Sequence, residues 1–230
     1  MWLLLLVLAT ARAVSHTTFC LVTASRRVSY LDTTLQSYER ERVWAHDGVG
    51  LVVVDVDNST TLPGVYKLPH RALAPCDGPD VEGIPSCKTR QSTLDITSAL
   101  RVCAESTSGW VVLVEDDNTL CEGAADEIVD TLARLDWRKT SMAKFSPSST
   151  GMSFPASKVG AYADYSLGRL RTHPHDVTRI EDWDGGWLYK HPRCLFKHVG
   201  QVSTQEYRNS EGFRAMYSKL RDYGCGQKMH

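Results

Sequence analysis

The chain has 230 residues, 42% of them hydrophobic and 23% charged, with a formal net charge of −1. That length and composition describe one globular domain, and the near-neutral balance argues against nucleic acid as a partner, which would call for a basic face. No low-complexity block or internal repeat interrupts the sequence.

The first residues read as targeting. Trp2 to Ala11 is an unbroken, mostly apolar run, and Ala11-Arg12-Ala13 has the A-x-A pattern of a signal-peptidase site. The run is far short of the ~20 residues of a transmembrane helix. The expectation is a signal peptide over residues 1–13 and a mature domain over 14–230 with no membrane-spanning helix. The start carries no Lys or Arg, which leaves an uncleaved anchor or a buried strand as the other readings. Seven cysteines fit a secretory route through the ER or Golgi lumen, or outside the cell. Cys76 and Cys87 flank a Gly- and Pro-containing loop that a disulfide could staple. The odd count leaves at least one free thiol, most simply Cys20 in a buried strand. Asn58-Ser59-Thr60 is a glycosylation sequon.

"TTFCLVTAS" reads as the first strand and "YLDTTLQSYERERV" as a helix with Leu31, Leu35 and Tyr38 on one face. "GLVVVDVDN" is a second buried strand ending in acids, among them Asp55. Residues 63–88 form an excursion rich in Pro and Gly. Ile96, Ala99, Leu100 and Cys103 then keep helical spacing. "WVVLV" is a further strand, and Ala125, Ile128, Val129 and Leu132 mark the next helix. This alternation is that of an α/β sheet with crossover helices. If the strands are parallel neighbours, "TASRR", "DVDN" and "EDDN" converge on one crevice at their carboxyl ends. Further on, "KTSMAKFSP" reads as a strand, "PASKVGAYADYSLGRL" as a helix opened by Pro155, "RIEDWDGGWLY" as an acidic loop and "CLFKHVGQVS" as a last strand.

Glu115, Asp116 and Asp117 follow the third strand directly. Carboxylates fixed at a strand end suit a hard divalent cation such as Mg²⁺ or Mn²⁺. They equally suit a helix cap, with Asp117 or Asn118 bonding the next helix's first N–H groups. The "FSPSSTGMSFP" hydroxyls fit an acceptor-side floor or a plain surface loop.

Three patches then occur in a recognisable order: "SRRVSYLDTTLQSYERE", "EDD" after an apolar strand, and "CLFKHVG". Together they resemble the Golgi N-acetylglucosaminyltransferases IV. In that family an R-x-x-x-Y-L-x-x-T-L-x-S helix, an EDD motif and an L-F-x-H-V-G strand recur. Arg27, Tyr30, Leu31, Thr34, Leu35 and Ser37 match the first, and Leu195, Phe196, His198, Val199 and Gly200 the last. The transferase that adds N-acetylgalactosamine to the GPI glycan is similar at a greater distance. The resemblance implies a GT-A glycosyltransferase: a Rossmann-like α/β domain with a mixed, mostly parallel sheet, using Mn²⁺ or Mg²⁺ and a UDP-sugar. Asp117 would be a metal ligand and His198 a second one, against the reading of His198 as a hydrogen-bonded core histidine. Glu115 and Asp116 would face the nucleoside or sugar. Thr23, Ser25 and Arg26 at the first strand's tip would cradle the uridine, with Asp55 beside them; an ordinary capped turn is the alternative.

An inverting transferase also needs a base for the acceptor hydroxyl. The "EDWDGG" loop supplies Asp182, in a D-W pair similar to the family's V-D-W segment, and Asp184 as its rival. Trp183 and Trp187 would stack a sugar; the alternative is a solvated acidic turn. The acceptor would be an N-glycan or GPI glycan. Two other classes compete: a glycan-binding protein that has lost transfer, and a secreted disulfide domain with structural Ca²⁺. Unlike the better-known family, the sequence shows no membrane anchor with stem and no lectin-like C-terminal segment.

Overall fold

The computed structural model describes residues 15–25, 29–74, 87–170, 183, 187–200 and 224–229. Its centre is a seven-stranded sheet in the order β3-β2-β1-β4-β7-β6-β8. These strands are β1 (Ser15–Thr23), β2 (Val49–Asp55), β3 (Tyr66–Lys67), β4 (Thr107–Glu115), β6 (Thr140–Lys144), β7 (Met152–Pro155) and β8 (Trp187–Lys190). β7 runs antiparallel to both its neighbours, β4 and β6, and the remaining six strands share one direction. The mixed, mostly parallel, Rossmann-like α/β sheet expected from the sequence is therefore present.

The central strands form because their β-branched apolar runs are buried on both faces, as a parallel sheet requires. Phe19, Leu21, Trp110, Val112 and Val114 pack on one face against α1 (Leu31–Arg40) and α3 (Ala124–Arg134). Cys20, Val22, Val54, Val111 and Leu113 point to the other face. There they meet α2 (Cys87–Ala104) and α4 (Ala156–Gly168), through Ile96, Leu100, Val159 and Tyr162. A period of two along the strands thus serves two helix layers.

A second, two-stranded antiparallel sheet pairs β5 (Asn118–Leu120) with β9 (Phe196–His198). It corrects the capping alternative for the acidic triplet. Asn118 enters a strand, and α3 begins only at Ala124, after Gly123 in the left-handed region at φ 72°. Two further segments differ from their sequence reading. "MSFP" is an inner strand rather than loop, and Trp187 opens an edge strand rather than lying in the acidic loop.

The cysteines also depart from expectation. Cys20 is not free: it lies on the α2 face of β1 and is bonded to Cys103, with a Cα–Cα distance of 5.8 Å. Among the described residues the free thiol is Cys194, which is buried and whose pKa burial pushes up. Cys121 pairs with Cys225, tying residues 224–229 to the end of β5. Cys87 is disulfide-bonded, while Cys76 lies outside the described residues. Asn58 of the sequon is exposed on the turn after β2. Among the described residues no helix is long and apolar enough to cross a membrane.

Candidate active site

Registers Thr23↔Asp55 and Val22↔Glu115 set the tips of β2, β1 and β4 side by side. The convergence that the sequence made conditional on parallel neighbours therefore holds. Past the β4 tip, the three sequence patches meet around residues 116–120. Thr34 of α1 donates its hydroxyl to the Asp116 carbonyl at 2.8 Å. Ser37, one turn on, accepts the Leu120 N–H at 3.1 Å, and Arg40 donates to the Leu120 carbonyl at 2.8 Å. From the other side, β9 pairs Asn118 with His198, and the Val199 N–H reaches the Asp117 carbonyl at 2.8 Å. Helix and strand grip the triplet's backbone from both flanks.

That grip brings Asp117 and His198 together. His198 Nε2 lies 3.3 Å from Asp117 Oδ2, with the Asp117 side chain 8% and the His198 side chain 34% exposed. Asp117 Oδ1 accepts a hydrogen bond from Asn118 Nδ2 at 2.8 Å, which orients the carboxylate. Gly200 closes on the pair: a Cβ there would stand 2.7 Å from Asp117 Oδ2 and 3.0 Å from His198 Nε2. The acid and imidazole therefore meet over bare backbone.

The other expected residues divide. Asp116 is buried, and its Oδ2 accepts the Thr23 hydroxyl at 2.7 Å, so these two neighbours of the crevice bond each other. Glu115 accepts the Ser149 hydroxyl at 2.7 Å, which lays the "SPSST" turn against the β4 tip. Asp55 is fully buried and organises its own turn, accepting the Thr60 N–H at 2.7 Å and the Asp57 N–H at 3.3 Å. The Ser25 N–H donates to Asp57 Oδ2 at 2.8 Å. Burial works against the Asp57 carboxylate, but hydrogen bonds led by Ser25, with the Arg71 charge, hold it below the ordinary range. Arg71 in turn grips Asp95 through two bonds of 3.1 and 2.6 Å, which raise its pKa.

Arg26, Asp182 and Asp184 lie outside the described residues. Trp183 is half-buried and packs edge-on against Tyr162 of the core, at 5.3 Å between ring centroids. Trp187, at the amino end of β8, stands at the opposite end of the sheet from the triplet. The sequence reading offered Asn118 only as a helix cap, not as the group that orients Asp117, and missed the positioning roles of Thr34 and Ser37. Thr34 and Ser37 had been picked out only as matched positions of the resembling helix; the physical signal was polar side chains set within the apolar stripe of α1, where both are buried.

No protein-family model matches the chain, and no curated protein matches it. Among solved structures it is similar to a glycosyltransferase involved in the glycosylation of the major capsid of PBCV-1. The identity is 11% and the TM-score 0.47, over 89% of this chain and 99% of that one.

Proposed function

We propose that this chain is a metal-dependent glycosyltransferase that moves a sugar from a UDP donor to a glycan hydroxyl. The observation that carries the reading is the approach of His198 Nε2 to Asp117 Oδ2 at 3.3 Å. Neighbouring ligands of an octahedral ion at ~2.1 Å are separated by about 3 Å, so one carboxylate and one imidazole at this spacing fit Mn²⁺ or Mg²⁺. Among the described residues no group of three or more His, Cys, Asp or Glu side chains could hold a metal. A two-ligand site suits an ion whose remaining positions go to phosphate oxygens; structural Ca²⁺ takes six to eight oxygens.

Asp117 and His198 would hold the ion, which when bound supplies Lewis-acid stabilisation of the leaving diphosphate. Asn118 keeps the Asp117 carboxylate turned toward His198. Thr23 and Asp116, bonded to each other, form the floor under the nucleotide, with Ser25 and Asp55 at the adjoining tips; Arg26 is the further candidate that the sequence offers for the uridine. Glu115, backed by Ser149, stands on the donor-sugar side. In the "EDWDGG" loop Asp182, with Asp184 as alternate, would take the acceptor proton and give inversion. The resemblance of the three patches favours N-acetylglucosamine or N-acetylgalactosamine as the sugar, and an N-glycan or GPI glycan as acceptor. It also favours a Golgi or ER lumen as the place of work.

A screen of UDP-sugars for Mn²⁺-dependent hydrolysis, followed by acceptor transfer, tests this reading. One donor should be hydrolysed well above the others, and Asp182→Asn should lower transfer ~10²–10⁴-fold with donor binding kept. Binding of Mn²⁺–UDP without hydrolysis of any donor or transfer to any acceptor would instead make the chain a glycan-binding relative without catalysis.

A further inference from the structure

The turn after β2 carries a motif that the Asp117–His198 site does not use. Asn58-Ser59-Thr60 has the N-x-S/T pattern, and Asn58 and Ser59 are exposed. Buried Asp55 fixes the turn by accepting the Thr60 N–H at 2.7 Å, and the Thr60 hydroxyl accepts the Leu62 N–H at 3.1 Å. Asn58 lies in the left-handed region at φ 57°, which Asn tolerates better than most side chains. Asn58 and Thr60 therefore both serve the turn. What the turn leaves over is half of the Asn58 amide. One Nδ2 hydrogen goes to the Leu68 carbonyl at 3.3 Å, and the other has no partner among the described residues.

Adjacent side chains part at this point. Asp57 turns toward the β1 tip, where its Oδ2 accepts the Ser25 N–H at 2.8 Å. Asn58 turns the other way, to Leu68, which follows β3 directly and bonds the Asp55 carbonyl through its own N–H at 3.1 Å. β3 is the terminal strand of the sheet, and both its residues, Tyr66 and Lys67, are exposed. Asn58 thus stands on the β3 side of β2, with the tips of β1 and β4 on the other side. The cysteines supply the compartment. Cys20–Cys103 and Cys121–Cys225 are bonded, and Cys87 is in a disulfide as well. Such bonds persist in oxidising compartments, the ER lumen among them, and are rare in the cytosol.

We propose that Asn58 is a site of N-linked glycosylation and that its glycan covers the β3 edge. In the transfer, Asn58 Nδ2 bonds to the anomeric carbon of an oligosaccharide carried as a lipid-linked diphosphate. The carbon–oxygen bond to the diphosphate breaks, the lipid diphosphate leaves, and one amide proton is lost from Nδ2. The remaining N–H keeps the bond to Leu68. A bulky, hydrated glycan on an open strand edge blocks pairing with other chains, the standing hazard of such edges. Because Asn58 turns from the β1 tip, the crevice stays open.

Peptide mass mapping of the chain from a secretory host that keeps oligomannose glycans tests this. The peptide bearing Asn58 should carry a glycan, and a peptide-N-glycosidase should remove it and leave aspartate at position 58. Thr60→Ala should abolish the modification and Thr60→Ser should retain it, with Asn58 unaltered in both. Trypsin reads the placement, because the Lys67–Leu68 peptide bond lies beside the attachment point. Trimming the glycan to its innermost sugar with an endoglycosidase keeps the Asn58–Leu68 bond and should speed cleavage after Lys67 several-fold. Cleavage after Lys139, at the amino end of β6, should not change. An unmodified Asn58 in the disulfide-bonded protein overturns the proposal. Equal cleavage after Lys67 with the full and the trimmed glycan overturns the placement over β3.

Discussion

At the scale of single residues, Thr34 shows why a motif can be needed without touching a ligand. Its hydroxyl is fully buried and spent on the Asp116 carbonyl, so it fixes where the triplet's backbone runs. Thr34→Val keeps the shape and strands that carbonyl, and should cost about 1–3 kcal/mol of stability, read as a lower urea midpoint. Thr34→Ser, which restores the donor, should recover most of the loss. Gly200→Ala should spare stability yet weaken Mn²⁺–UDP binding at least ~10-fold by calorimetry, about 1.4 kcal/mol, since its Cβ would press on both ligand atoms. Unchanged binding would place the metal elsewhere. Tyr38 gives the opposite sign: its buried hydroxyl has no hydrogen-bond partner among the described residues. Tyr38→Phe should therefore stabilise by about 1 kcal/mol in the same urea titration. At this scale the acids were legible in the sequence, because charge straight after an apolar strand has few uses. Their partners were not: the Thr23–Asp116 bond joins residues 93 apart, and no local pattern encodes it. His198 was found only through the resemblance of its strand.

Among the elements, β1, β2 and β4 were readable because burial on both faces demands continuous apolar runs. β5 was not, since a strand of three residues opened by Asn carries no period, whereas β9 was read within "CLFKHVGQVS" as a last strand without its partner β5. What holds the β8–β9 connection is a cluster the sequence did not advertise. Glu127 on α3 accepts from Arg193 at 3.1 and 2.5 Å and lies 3.0 Å from Nε2 of the buried His191. The Arg193 hydrogen bond is the largest influence on Glu127 and holds its carboxyl below the ordinary range. A depressed folded pKa contributes stability that is fully present above the unfolded value of about 4.5. That stability is lost as pH falls through the lower folded value. Glu127→Gln should thus lower the melting temperature at neutral pH, and the gap to wild type should close progressively below about pH 4.5. A gap that stays constant down to pH 3 would show that the pairing adds nothing beyond packing.

For the whole molecule, the two pinned regions have different stakes. Cys20–Cys103 ties β1 to α2 within the core, while Cys121–Cys225 closes a span of 104 residues and holds residues 224–229, which bond the backbone of Pro192 and Cys194, to the end of β5. Removing the second as Cys121→Ala with Cys225→Ala should cost about 2–5 kcal/mol in denaturant unfolding, through the denatured state more than through lost contacts. A change below about 0.5 kcal/mol would show that the tail's closure is immaterial. The sheet's polarity gives the molecule two ends, with nucleotide chemistry assigned to the acidic one. The assignment at the acidic end stands or falls with a single titration: UDP into wild type, Asp117→Asn and His198→Ala by calorimetry, each with Mn²⁺ and with chelator. Wild type should bind UDP at least ~10-fold more tightly with Mn²⁺, a gain of about 1.4 kcal/mol. Both variants should melt like wild type and lose that dependence. Equal binding with and without the metal in wild type, or a metal dependence that survives Asp117→Asn, would contradict it.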